Sequence, residues 1–415
     1  MNTWIRGFLS AAMPLALVGL SVAIDPVATD VKALPATPMY VVTNDDLGLP
    51  FQNSIDFYLA SGTQLTFQNT VPVGGFGIQG GFFGTSRISS IPSVSAPCIY
   101  ASNAASNNVA SISLQTQQLV GNFSGSQTDD GSSNGIGLAV NANYLYAGFT
   151  SSNTIGAFAL QTGCGLNFLG DVPAVGLQGG SVSGMAVNGS ILVVAYGDGS
   201  IQSFNVTGGI PVSNNDLQNS TGYTSLNPYW FAGPSMPSGV DITQDGRFAI
   251  FGDISATSTV EVSSLTTGKL ATTVAYSVTA IQGTGVDAGA IRLSPDQTLL
   301  YIANSESGTV TAAYFNPTTG KITHGCSSPT LRGFNGRPRL GSVVTRDTSG
   351  TGNVLYVAEF GRDGIEINHG VSSGIGTLAI TSNGVKCMLT EVSGSPHITS
   401  YPGMLSVGVY PPRPF

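Results

Sequence analysis

Cations and carboxylates gather around one segment of the chain. Arg332, Arg337 and Arg339 lie in the connection that enters the last full repeat, and Glu359, Arg362, Asp363, Glu366 and His369 lie in the long insertion of that repeat. Guanidinium groups beside carboxylates and one imidazole can hold an acidic sugar, with Glu359 or His369 as general base toward water. The bland alternative is a solvated loop whose charges neutralise each other, since exposed ion pairs are common and contribute little. A second candidate surface is aromatic. Tyr223, Tyr229, Trp230 and Phe231, with Pro228 and Pro234 nearby, form either a sugar-stacking platform or a plug that anchors a long loop. His397, in Ser395-Pro396-His397, belongs to the same side of the molecule, whereas His324 is expected on an outer strand with no role.

Metal chemistry has little support. Asp45-Asp46 and Asp129-Asp130-Gly131 lack the spaced aspartates and closing glutamate of a calcium loop, so turn-forming or solvating roles are expected. No two cysteines have ligand-like spacing, and no cofactor motif is present. Asn122, Asn188, Asn205 and Asn219 each open an Asn-x-Ser/Thr triplet, which matters only in a eukaryotic secretory pathway.

The elements that position these residues are short strands. From Ala288 to Cys326 the sequence breaks into four runs, Ala290 to Leu293, Leu299 to Asn304, Thr309 to Phe315 and Lys321 to His324, divided by Ser294-Pro295-Asp296, Ser305 to Gly308, and Asn316 to Gly320. Pro-Asp pre-sets a tight turn and Gly320 supplies the positive φ that closes the next. This is a four-stranded antiparallel meander. Its second strand recurs as Met39 to Val42, Ile99 to Ala101, Leu145 to Ala147, Leu192 to Ala195, Ala249 to Phe251, Leu300 to Ala303 and Leu355 to Ala358. A spacing of about 45–60 residues suits propeller blades with loop insertions.

Small residues open most of the innermost runs, as at Gly137, Gly184, Gly239, Gly289 and Gly341; the second repeat has Ile88 to Ile91 instead. Glycine allows the close backbone approach needed around an axis. The first repeat has no such run before Tyr40, while Gly403 to Val407 stands alone near the C-terminus. The chain is therefore read as an all-β, seven-bladed β-propeller of four-stranded antiparallel blades, closed by its C-terminal strand, residues 403–409, within a propeller spanning 39–410 and followed by a tail at 411–415. Short turns fall on one face. The long insertions, including Asn44 to Asn53, Asp216 to Pro237, Ser327 to Arg339 and Gly361 to Gly374, fall on the other, where binding is usually found.

Residues 1–23 read as a signal peptide, with Arg6 before an apolar run from Phe8 to Leu20 and small Ser21 and Ala23 near the cleavage point; residues 24–38 form a lead-in. No later stretch is long and apolar enough to span a bilayer. The expected destination is the periplasm, the cell surface or the medium. A net charge of -8 argues against nucleic acid as a partner. Four cysteines in an exported chain favour disulfides, and the repeat positions pair Cys98 with Cys164 and Cys326 with Cys387.

The run LSPDQTLLYIANSESGTVTAAYFNPTTGKIT, echoed by TQDGRFAIFGD and NVLYVAEFGRDGIEI, resembles the YVTN repeat of the seven-bladed propellers grouped with 6-phosphogluconolactonase-like lactonases. The resemblance implies the propeller fold and, as an activity, hydrolysis of sugar lactones. In that family a Pro-Arg-His run commonly introduces the inner strand. Pro338 and Arg339 match it, with Leu340 at the His position; the family's Asn-Arg pair is replaced by Asn304-Ser305 and Glu359-Phe360. The expectation is an exported scaffold without catalytic activity that binds a small molecule, a sugar or lactone, or an envelope protein through its loop-rich face. The alternative is a lactone hydrolase in which Arg337 and Arg339 hold an anionic substrate and Glu359 or His369 activates water.

Overall fold

The computed structural model describes residues 38–78, 88–92, 97–126, 136–220, 236–254, 259–278, 288–305, 307–332, 339–345, 353–360, 373–383, 386–399 and 406–412. Within them lie seven antiparallel sheets, each of four or five strands. The sixth blade shows how sequence becomes strand. Ser294 to Thr298 turn because the Asp296 carboxylate accepts hydrogen bonds from the Ser294 hydroxyl and the Thr298 amide. Asn316 caps the amides of Thr318 and Thr319, and Gly320, at φ +69°, closes the turn into the outer strand. Between these turns run Ala288–Leu293, Leu299–Asn304, Thr309–Phe315 and Ile322–Ser327, in that order from the axis outward.

The ring closes as the repeats require. Ser406–Tyr410 pairs with Met39–Asn44, which pairs in turn with Ser54–Ser61, and that strand with Gln64–Pro72. Ser406–Tyr410 is the part of the closing strand within the described residues, and residues 400–405, with the start of the run at Gly403, lie outside them. In the fourth blade the outer strand is two short pieces, Val212–Ser213 and Gln218–Asn219. Between them Asp216 accepts from the Ser203 amide and hydroxyl and from the Leu270 amide of the next blade, which takes up groups that a continuous ladder would use.

Apolar side chains alternate along the strands, so each sheet buries both faces against its neighbours. Seven apolar clusters result, one for every seam of the ring. The inner strands of the fourth to seventh blades each skip one or more residues in their register with the second strand. In the fourth and fifth blades the skipped residues are Ser183 and Ser238, whose hydroxyls donate to Pro237 O and Gly289 O of the next blade. A Cβ on Gly184 would lie 2.0 Å from Ser238 O, so only glycine permits this approach.

Two disulfides lock neighbouring blades as the repeat positions suggest. Cys98–Cys164 joins the second blade to the third, and Cys326–Cys387 joins the sixth to the seventh. Among the described residues no helix is long and apolar enough to cross a membrane.

Candidate functional site

The second strand of every blade ends at the loop-bearing face, and near that end one residue on the face turned to the preceding blade lies just beyond the apolar side chains that alternate on the same face. In chain order this position is Thr43, Asn103, Phe149, Tyr196, Asp253, Asn304 and Glu359, all buried. Register defines the equivalence: Asp253, Asn304 and Glu359 pair with the start of their inner strands at Pro237, Ala288 and Leu340. On the other side they meet the start of the third strand at Thr259, Thr309 and Gly374.

In most blades the terminal residue is held by its own third strand. Asn304 donates from its amide nitrogen to the hydroxyls of Thr309 and Thr311 at 3.2 and 3.0 Å. The Thr259 hydroxyl donates to Asp253 at 3.2 Å, Asn103 donates to Asn108 at 2.9 Å, and the Tyr196 hydroxyl donates to Gln202 at 2.7 Å. The seventh blade has other residue types at these places. Where the sixth has Thr309 and Thr311, the seventh has Gly374 and Gly376, and its terminal residue is the longer, ionisable Glu359. A Cβ on Gly376 would meet Glu359 Oε1 at 2.0 Å, so the carboxylate lies over that glycine.

Alternation fixes the direction in which Glu359 points. Leu355 and Val357 share its face and pack with Leu299, Tyr301 and Ala303 of the sixth blade. Glu359 thus places a carboxylate, 1% exposed, in the seam between the sixth and seventh blades at the loop-bearing end. The inner-strand register sets Arg339 opposite Phe360, one row beyond Glu359. Two residues singled out in the sequence are therefore brought to the same end of adjoining strands. A carboxylate there can accept a proton from water, and arginine is a residue type that can donate to a developing oxyanion.

The remaining candidates separate. Arg332 is tied to the outer strand of the seventh blade: its Nε lies 3.2 Å from Glu391 Oε2, its amide donates to the same carboxylate, and a terminal nitrogen donates to Val392 O. His397 pairs with Ile375, whose side chain joins the cluster facing the first blade. Strand alternation therefore puts His397 and Glu359 on opposite faces of one sheet, which excludes a direct pair between them. Burial holds the His397 imidazole below its ordinary pKa. Trp230, Arg337, Arg362, Asp363, Glu366, His369 and the Asp129-Asp130-Gly131 cluster lie outside the described residues, as does the Arg339 side chain. His324 is on an outer strand with its ring 5.3 Å from that of Tyr314, as expected.

Asp45 and Asp46 lie in the loop that follows Met39–Asn44, and they do not solvate it: both are fully buried. The Asp45 carboxylate accepts from the hydroxyls of Thr43 and Ser54 at 2.8 and 2.5 Å. Burial, and then the nearby charge of Asp56, push its pKa well above the ordinary value. Asn44, Asn53 and Asn103 complete a side-chain network across the first and second blades. These groups shape the face by bonding to one another. Among the described residues no group of acidic, His or Cys side chains is arranged to hold a metal ion.

With this geometry in hand, comparison with known proteins is decisive at the level of family. Residues 98–380 match the model of the family described as lactonase, 7-bladed beta-propeller. The chain belongs to that lactonase family. Among solved structures, this lactonase-family chain is similar to a candidate 6-phosphogluconolactonase of Bacteroides fragilis, at 17% identity and TM-score 0.61, covering 93% of this chain and 99% of that one. A counterpart from Bacteroides uniformis gives 15% identity and TM-score 0.60, with 90% and 99% covered. The periplasmic gluconolactonase of Pseudomonas aeruginosa gives 14% identity and TM-score 0.51, with 70% and 82% covered. At these identities the likenesses speak to the fold. By sequence, no curated protein matches the lactonase-family chain.

The glycine substitution that sets Glu359 apart had a sequence signal. Aligning Ser307-Gly308-Thr309-Val310-Thr311 with Ser372-Ser373-Gly374-Ile375-Gly376 shows two threonines replaced by glycines opposite an Asn-to-Glu exchange. The meaning of that alignment depends on knowing which residues share a seam.

Proposed function

We propose that this protein is an exported hydrolase of unphosphorylated sugar lactones, with Glu359 as general base and Arg339 as the cation beside the lactone carbonyl. The observation that carries the reading is the buried Glu359 carboxylate, lying over a glycine at the loop-bearing end of the seam between the sixth and seventh blades, where the equivalent place in the sixth blade holds an asparagine against two threonines. Family membership supports the reaction class. Residues 1–23 act as the export signal, and the two disulfides suit an oxidising compartment. Outside the cytoplasm the substrate is a free aldonolactone rather than a sugar phosphate, and the periplasmic gluconolactonase of similar fold accords with that choice.

In this mechanism Glu359 takes a proton from water as the water oxygen bonds to the lactone carbonyl carbon. The ring C–O bond then breaks, and its leaving oxygen takes up the proton from Glu359. The product is an open hydroxy acid, which releases one proton to solvent at neutral pH. Base uptake in a pH-stat with the mature protein and a panel of aldonolactones follows that proton directly. Glu359→Gln should lower the enzymatic rate by about 100-fold or more, the usual weight of a general base.

A scaffold reading is favoured by a different observation. Leu49 and Phe51, 73% and 59% exposed, stand on a loop of the same face that is pinned by the Asn53 side chain and by backbone bonds to Gly75 and Gly77. A rigid apolar tip suits an envelope protein as partner. Background rates for wild type and Glu359→Gln alike across the panel would move the assignment to this reading.

A further inference from the structure

We infer that Gly376 is a positioning residue of the site, shaping the seam so that the Glu359 carboxylate sits where it can reach substrate; the inference rests on the hydrolase reading above. The three atoms nearest a Cβ at position 376 are Oε1, Cδ and Cγ of Glu359, at 2.0, 3.0 and 3.3 Å. All three belong to one side chain, so a side chain at 376 would meet Glu359 first. The third blade uses the same device for a different end. Gly156, equivalent to Gly376 by register, leaves room for the Phe149 ring, whose Cε2 would lie 2.7 Å from an added Cβ. There the space is shared by the Phe149 ring and by Oδ1 of Asp171, which would lie 2.9 Å from the added Cβ, whereas in the seventh blade all three nearest atoms belong to the end residue of the second strand itself.

The sixth blade shows what the seam becomes without the glycines. Thr311 stands in the place of Gly376, Thr309 in that of Gly374, and both hydroxyls bond the Asn304 amide. A hydroxyl at 376 would occupy the carboxylate's position and compete for it. Opposite Glu359, Gly374 likewise presents no side chain. The pair of glycines therefore gives the end residue of this strand a seat over bare backbone, where the sixth blade presents threonine hydroxyls.

Adding one methyl group tests this. In Gly376→Ala the clash falls on the far end of a flexible side chain, so the strand can stay and the carboxylate must move. Going from 2.0 Å to an ordinary carbon contact of about 3.5 Å displaces it by roughly 1.5 Å. A misplacement of about 1 Å can cost on the order of 100-fold in rate, so kcat should fall by about that factor with KM nearly unchanged. The acid limb of the pH profile of kcat/KM should shift as well, because the carboxylate changes surroundings; a general loss of structure would scale the profile without moving it. A folding control is the graft Glu359→Asn with Gly374→Thr and Gly376→Thr, which reproduces the sixth-blade pattern and should be folded and inactive.

Crystal structures of wild type and Gly376→Ala provide the readout independent of activity. A carboxylate displaced by about 1 Å or more, with the strand in place, is the expected result. An unmoved carboxylate, or a Gly376→Ala variant with wild-type kcat and pH profile, overturns the positioning role. Inactivity of the wild type toward every lactone sinks the hydrolase reading instead, and the position of the carboxylate still decides what Gly376 does.

Discussion

Removing the disulfides separates two contributions to the stability of the ring. Cys98–Cys164 spans a sequence separation of 66 residues and Cys326–Cys387 one of 61. In the chain-entropy description each constraint removes about 4 kcal/mol of unfolded-state freedom, and the two differ by about 0.1 kcal/mol or less. Any larger difference must come from the folded state. Cys98 and Cys164 are fully buried in the cluster between the second and third blades, whereas Cys326 and Cys387 are only partly buried beside theirs. Replacing the first pair by alanine should therefore cost more than replacing the second, by about 1 kcal/mol or more for the cavity it leaves. The loops do not overlap in sequence, so the two losses should add to within about 0.5 kcal/mol. Urea unfolding of the two paired variants and the quadruple variant, without reductant, measures all three quantities. A costlier second pair, or a quadruple variant no weaker than either paired one, would refute loop closure plus burial as the account.

Three further outcomes follow from the structure. Val407, 2% exposed in the seam between the seventh and first blades, holds the closing strand; Val407→Asp should cost at least about 3 kcal/mol in urea unfolding, and a near-neutral effect would mean that closure is not needed for the ring. Asp198 is pushed up by burial, but the Ser200 hydroxyl and the amides of Gln178, Gly180 and Ser200 outweigh this and hold its pKa below the ordinary value. Its stabilisation is complete above the unfolded carboxylate value of about 4 and is lost as pH falls through the folded pKa, so Asp198→Asn should flatten acid unfolding monitored by circular dichroism. Asp45 has the opposite sign: the folded state retains a proton that the unfolded chain has released, so stability declines as pH rises above about 4 toward the raised folded value. Asp45→Asn should thus gain stability over wild type at pH 8 and little at pH 4, read from thermal melts at the two pH values.

The fold was legible in the sequence because each blade repeats one apolar alternation with its own turn residues. Ring closure was legible from a missing inner strand at one end and a surplus one at the other, and the disulfides from equivalent places in neighbouring repeats. The candidate site was legible only in part. Glu359 stood out as a charge at the end of an apolar strand, but Arg332, equally prominent, is taken up by Glu391. For Asp45 and Asp46 the sequence left turn-forming and solvating roles open; hydroxyl donors from Thr43 and Ser54 make burial of the first tolerable. Glu359 and His397 are close along the fold yet point to opposite sheet faces, a distinction that depends on the register of a two-residue strand.

The seam positions also bear on how such a ring can change over time. Each set comprises three residues on two adjoining strands, at the loop-bearing end of the apolar cluster that holds the same pair of blades together, and in the third and fourth blades its Phe149 or Tyr196 belongs to that cluster. A few codon changes can therefore give one seam an amide, a phenol, a phenyl ring or a carboxylate while the architecture beneath is inherited unaltered. Descendants of one propeller can thus lose a reactive group from one blade and acquire another elsewhere on the circle, which makes the blade that carries the chemistry a poor guide to ancestry.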